Sequence, residues 1–194
     1  IKKNKIKDNG IVRYAQFGTI FPNKNQKWFV DSFIKLCEEN DNCVAYIIGK
    51  KIPSCRGYYQ AIIDKINKAG LSERIKVIPF TENINEWYEK IDVMVNPMMR
   101  GIIGRITIEA MGYGIPCIGH NGEIEQGIVE HGKNGLLVPF DNVKELTNGM
   151  RNMLDFNFRK TMSDNAYKRA VNRLNINQYG QAMLNTHHSL ITKT

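Results

Sequence analysis

The apolar residues of this chain fall into short solid blocks, separated by longer stretches in which they recur every three or four places. The run Ile11 to Phe17 is rich in β-forming residues and is ended by Gly18. After Pro22 and Asn23, helical spacing puts Trp28, Phe29, Phe33, Leu36 and Cys37 on one face, with Asn23 as the N-cap. Val44 to Gly49 is an apolar strand, and a helix from Tyr58 to Ala69 is closed by Gly70. Arg74 to Phe80 predicts a third strand, and NINEWYEK a short helix. Ile91 to Pro97 predicts a fourth strand, IPCIG a fifth and NGLLVPF a sixth.

Strands that are apolar throughout, alternating with helices, predict a parallel sheet covered on both faces. The expected fold is α/β: a doubly wound, six-stranded, Rossmann-like sheet with helices on both faces and a helical C-terminal tail from Val143 onward. In such folds ligands sit at the carboxyl ends of the strands. The loops after Phe17, Gly49, Phe80, Pro97 and Gly119 should therefore line one crevice. No second core is visible, so residues 1–194 read as a single domain. The chain does not begin with Met, which points to a piece of a longer polypeptide.

Composition narrows the function. The chain has 194 residues and 42% hydrophobic content, enough for a full core. No apolar run is long enough to span a bilayer, and the opening IKKNKIKDNG has no signal-peptide core. The net charge of +8 admits nucleic acid, an anionic membrane surface or a phosphorylated small ligand as partner. The basic residues are scattered and not interleaved with aromatics, which argues against nucleic acid. Weak attraction to an anionic membrane stays open. Cys37, Cys43, Cys55 and Cys117 include no CxxC pair and read as buried free thiols in a reducing compartment.

The candidate chemistry concentrates in GIIGRITIEAMGYGIPCIG, Gly101 to Gly119. A glycine turn (Gly101, Gly104) leads into a helix bearing Glu109, and Gly114 stops that helix. Backbone N–H groups of such a turn suit a phosphate, and a carboxylate can accept bonds from both hydroxyls of a vicinal diol. The combination points to a nucleotide-sugar site. Taken alone, Glu109 reads as a solvated helix carboxylate paired with Arg105; its place between the glycine turn and AMGYGIP favours the diol-binding role instead. Lys24, beside the strand-end Gly18, lies where the helix dipole disfavours a cation unless an anion binds there. His120 ends a strand where a polar side chain could reach ligand, while His131, His187 and His188 read as surface residues. No DxD, HExxH or Cys/His cluster offers a metal site, and no Walker A loop or early GxGxxG is present.

Several segments, in order, resemble family 4 retaining glycosyltransferases of the two-domain GT-B fold, specifically their C-terminal, donor-binding domain. FGTIFPNKNQ looks like the first phosphate loop and YIIGK like the second strand and its glycine. RIKVIPFTENINEWYEKIDVMVNP resembles the segment that holds the nucleobase, and GRITIEAMGYGIPCIG the helix and strand of the two-glutamate motif. EHGKNGLLVPFDNVKEL looks like the late strand and helix, and LNINQYGQAMLNTHH like the closing helix. The resemblance covers nearly the whole chain.

The resemblance implies a nucleoside-diphosphate sugar as donor, transfer with retention, and no metal or other cofactor. It assigns Glu109 to the donor ribose. It assigns Gly18, Thr19, Lys24, Gly101, Ile103, Gly104 and Arg105 to the diphosphate, and Pro79, Phe80 and Thr81 to the base. Gly101 stands where the motif's first glutamate is expected, and Thr19 where the loop's arginine is expected; Arg100 or Arg105 could supply that charge. An acidic residue before the following helix has no clear match among Glu123, Glu125, Gln126 and Gly127. The acceptor site and the main catalytic groups are expected in an N-terminal domain of the same polypeptide, and the setting is cytoplasmic, peripheral to the inner face of the membrane. The two departures keep a second reading open, a non-catalytic glycosyltransferase-like subunit that stabilises or targets a partner. A flavodoxin-like or receiver domain needs acidic residues after the first strand, and QFGTIFPNK has none.

Overall fold

The computed structural model describes residues 3, 4, 8, 10–99, 105–122 and 127–173. The six expected strands form one sheet: β1 (Val12–Phe17), β2 (Cys43–Ile48), β3 (Ile75–Ile78), β4 (Val93–Asn96), β5 (Cys117–His120) and β6 (Gly135–Val138). Their spatial order is β3-β2-β1-β4-β5-β6, and every pairing is parallel. The connecting helices are α1 (Gln26–Cys37), α2 (Arg56–Lys68), α3 (Ile84–Lys90), α4 (Arg105–Gly112), α5 (Val143–Asn152) and α6 (Phe156–Arg173). The strand order reverses between β1 and β4, which opens a crevice at their carboxyl ends.

Each strand serves two cores because successive side chains point to opposite faces. On β1, Val12 and Tyr14 enter one cluster with Phe29 and Phe33 of α1, while Ala15 and Phe17 enter the other with Tyr88 of α3 and Met111 of α4. Val93 and Met94 of β4 divide in the same way. Both faces are therefore dry, which is why the strands read as unbroken apolar blocks. Across the interior, the Tyr14 hydroxyl donates to the Met150 carbonyl at 2.7 Å.

Three details differ from expectation. Asn23 does not cap α1: Pro22–Lys24 forms a short 3₁₀ turn, so the helix begins at Gln26 and the cap falls on Asn25, in the left-handed region at φ 49°. The fixed φ of Pro22 suits that turn's first position. The strand ends also shift by a residue or two, and β5 starts at Cys117 because Pro116 has no N–H for the ladder. Of the four thiols, all free, only Cys43 and Cys117 are buried; Cys37 and Cys55 are half-exposed. The expected stop at Gly114 is present: at φ 76° it accommodates bonds from its own N–H to Met111 and from the Ile115 N–H to Ala110.

Candidate functional site

The floor of the site is a close approach of two strand ends. Gly18 leaves β1 at φ 133°, and its N–H bonds the Ile48 carbonyl at 2.9 Å. Gly49, just past β2, packs so tightly that a Cβ there would lie 1.8 Å from the Gly18 oxygen. Only glycine permits this contact, and it lets the backbone itself face a ligand.

The loop that follows is clamped from below. Gln16 and Gln26 are buried, and their amide groups donate to the Lys24 and Thr19 carbonyls, the latter at 3.0 Å. Lys24 is thereby laid over Gly18, with its Cε 3.4 Å from where a Gly18 Cβ would be. Its ammonium donates to Met98 Sδ at 2.9 Å and pairs with no carboxylate among the described residues. Partial burial holds its pKa below the usual lysine value.

Glu109 lies on the second turn of α4. Its Oε2 accepts from the Tyr88 hydroxyl at 3.0 Å, and its Oε1 is 3.5 Å from Arg105 Nε. Its side chain remains 40% exposed, open to the crevice. The sequence-level ambiguity about this residue thus resolves into both contacts at once: the Arg105 pair forms, and it forms at the wall of a cavity.

That cavity, about 660 Å³, lies against the rim of the sheet. Phe17, Gly18 and Thr19 line it from β1, Ile48, Gly49 and Lys50 from β2, Phe80 to Glu82 and Ile84 from the β3–α3 connection, and Arg105, Ile106 and Glu109 from α4. Six of the expected site residues therefore meet here: Gly18, Thr19, Phe80, Thr81, Arg105 and Glu109. Pro79 is exposed and does not line it, because the chain turns so that the Phe80 ring, 65% exposed, forms the wall instead. Lys24 stands behind Gly18, at the edge rather than in the lining. Gly101, Ile103 and Gly104, with Arg100, Glu123, Glu125, Gln126 and the closing segment, lie outside the described residues.

Lys50 and Glu82 line the cavity without having been singled out in the sequence. The signal that could have found Lys50 is its place immediately after the strand-end Gly49. His120 ends β5 in contact with the Met98 backbone, accepts the Gly122 N–H on Nδ1 at 3.0 Å and packs edge-on against Phe140. Burial lowers its pKa, so the ring is neutral near pH 7. The lining of the main cavity, among the described residues, contains no imidazole or thiol. It offers instead two carboxylates, two cations, an aromatic wall and exposed backbone, a set for holding a ligand with hydroxyls, anionic groups and a flat ring. No group of three or more His, Cys, Asp or Glu that could hold a metal ion occurs among the described residues.

A parallel sheet in this order, with a crevice along the carboxyl ends of its strands, defines a doubly wound α/β domain. The chain belongs to the glycosyl transferases group 1 family, whose model matches residues 1–169. The fold is that of the C-terminal half of GT-B proteins. A solved C-terminal domain of a glycosyl transferase group 1 family protein (LpcC) from Francisella tularensis superposes with a TM-score of 0.81 at 21% identity, covering 90% of this chain and 89% of that one. Anabaena Alr3699/HepE, solved in complex with UDP, gives a TM-score of 0.86 at 23% identity over 93% of this chain and 49% of that one. The lipopolysaccharide core biosynthesis mannosyltransferase LpsB of Rhizobium meliloti (strain 1021) is 26% identical over 178 residues, 90% of this chain and 51% of its own length. An Escherichia coli UDP-Gal:alpha-D-GlcNAc-diphosphoundecaprenol alpha-1,3-galactosyltransferase is 23% identical over 88% of this chain and 43% of its own length. The chain thus spans about half the length of these curated relatives. No helix among the described residues is long and apolar enough to cross a membrane.

Proposed function

We propose that this chain is the donor-binding half of a glycosyltransferase, which holds a nucleoside-diphosphate sugar at the carboxyl ends of β1 and β4 and transfers the sugar with retention of configuration. The observation that carries the reading is that Glu109, Arg105 and the Gly18–Gly49 floor converge on one cavity. Glu109 takes the ribose hydroxyls, and Phe80 and Thr81 flank the base. Lys24, Arg105 and the backbone of Gly18 face the diphosphate, and Gly101, Ile103 and Gly104, outside the described residues, are assigned to it by the sequence. Negative charge grows on the diphosphate as the glycosidic bond breaks, so cations and N–H groups fixed there lower the barrier. Thr19, in place of an arginine, contributes a hydroxyl and no charge, which leaves Lys50 and Arg105 as the cations of the cavity lining.

The acceptor site and the remaining catalytic groups belong, in this reading, to an N-terminal domain of the same polypeptide, and the reaction needs no metal. The donor is a cytoplasmic nucleotide sugar, and the basic chain is drawn weakly to the inner membrane face. The relatives' names, a lipopolysaccharide core mannosyltransferase and a galactosyltransferase acting on an undecaprenyl-linked sugar, support a glycoconjugate acceptor.

Calorimetric titration with UDP, GDP and ADP tests the proposal. One of them is expected to bind, and Glu109→Ala is expected to weaken it by about 1–3 kcal/mol, the cost of losing hydrogen bonds to a charged acceptor. No heat with any of them at millimolar concentration would remove the reading. It would favour the non-catalytic subunit, which the uncharged Thr19 at the cavity wall keeps in view.

A further inference from the structure

The ribose carboxylate is held by a residue that does not itself line the cavity. Tyr88 of α3 is 1% exposed, with its ring between Phe17, at 5.3 Å between centroids, and Tyr113, at 5.1 Å. Its hydroxyl emerges from this apolar sandwich directly onto Glu109 Oε2 at 3.0 Å. Glutamate has three side-chain torsions and can sweep a wide arc. Its other partner, Arg105, is 86% exposed and only within 3.5 Å, a weak anchor in water. The rigid partner is the buried phenol. Tyr113 cannot replace it, because its own hydroxyl donates to Asn85 Oδ1 at 2.9 Å. Burial beside the Glu109 charge raises the Tyr88 pKa well above the ordinary phenol value, so the hydroxyl stays a donor.

We propose that Tyr88 is the positioning residue that fixes Glu109 for the sugar diol, and so makes the site select ribonucleotides. With one lone pair of Oε2 committed to the phenol, the carboxylate keeps acceptor sites on both oxygens for the two ribose hydroxyls. The inference rests on the reading that Glu109 takes the ribose, and its test separates the two.

UDP, GDP and ADP, and their 2′,3′-dideoxy counterparts, are titrated into the wild-type chain, Tyr88→Phe and Tyr113→Phe. Wild type is expected to favour the ribonucleotide that it binds. Tyr88→Phe is expected to lose on the order of tenfold in affinity for that ribonucleotide and to bind the dideoxy form as before. Tyr113→Phe should keep the wild-type ratio. The ratio of the two affinities is internal to each protein, so partial unfolding does not move it. A Tyr88→Phe ratio equal to the wild-type ratio, or equal loss for both ligands, overturns the inference alone. A wild type that binds none of the six nucleotides, or that shows no ribose preference, overturns the underlying reading of Glu109 as well.

Discussion

Lys24 shows how far a single residue could be read from the sequence. Its place beside a strand-end glycine, where a helix disfavours a cation, marked it as a phosphate ligand. The structure lays it over Gly18 with a thioether, not a carboxylate, at its ammonium. Lys24→Ala is expected to weaken nucleoside diphosphate binding more than binding of the bare nucleoside; equal losses in paired titrations would contradict a diphosphate role. The pH dependence follows from the burial that lowers its pKa. A bound diphosphate favours the charged ammonium, so affinity is full below that lowered pKa and declines as pH rises through it. Dissociation constants measured between about pH 7 and 10 should show this decline earlier than an exposed lysine would give. Lys24→Arg should flatten it, because a guanidinium stays charged throughout. Glu109 was legible as a candidate but ambiguous, since a helix carboxylate one turn from an arginine is ordinary. Tyr88 was not legible as a partner of Glu109: twenty-one residues separate them, and only the packing of α3 beside α4 brings them together.

At the level of elements, alternation of apolar blocks and helical spacing was enough to place all six strands and the helices between them. The start of α1 was misplaced because a proline before polar residues can open either a helix or a 3₁₀ turn. Two glycines that look alike in sequence have different work. Gly114→Ala puts a side chain at φ 76° in a helix stop, and is expected to cost about 1 kcal/mol of stability and to leave nucleotide affinity unchanged in the folded protein. Gly49→Ala forces a methyl against the Gly18 carbonyl in the cavity floor. It is expected to destabilise by about 1–3 kcal/mol and to weaken nucleotide binding as well. Denaturant melts and titrations of both variants check the contrast; loss of binding in Gly114→Ala would show that the two ends are mechanically coupled.

At the scale of the whole molecule, a ligand that binds only the folded state stabilises it by mass action. A nucleoside diphosphate at a hundredfold excess over its dissociation constant should add about 2.7 kcal/mol, seen as a raised melting temperature. The shift should shrink in Glu109→Ala, measured against that variant's own unliganded melt, which should fall because the hydroxyl of the buried Tyr88 loses its acceptor. Failure of the bound nucleotide to move the melt would place its site outside the folded domain. By itself, the order of apolar blocks and breakers determined the layered α/β architecture, because a strand buried on both faces cannot afford a polar stripe. It also singled out the strand-end Gly18, the helix carboxylate Glu109 and the loop lysine Lys24. Only the tertiary structure decided the order of the strands, since which strand lies beside which leaves no local mark in the sequence. The same holds for the pinch of Gly18 on Gly49, the retreat of Pro79 in favour of Phe80, and the contact of Tyr88 with Glu109. Each depends on residues far apart in the chain, and on the exact distance at which two packed elements come to rest.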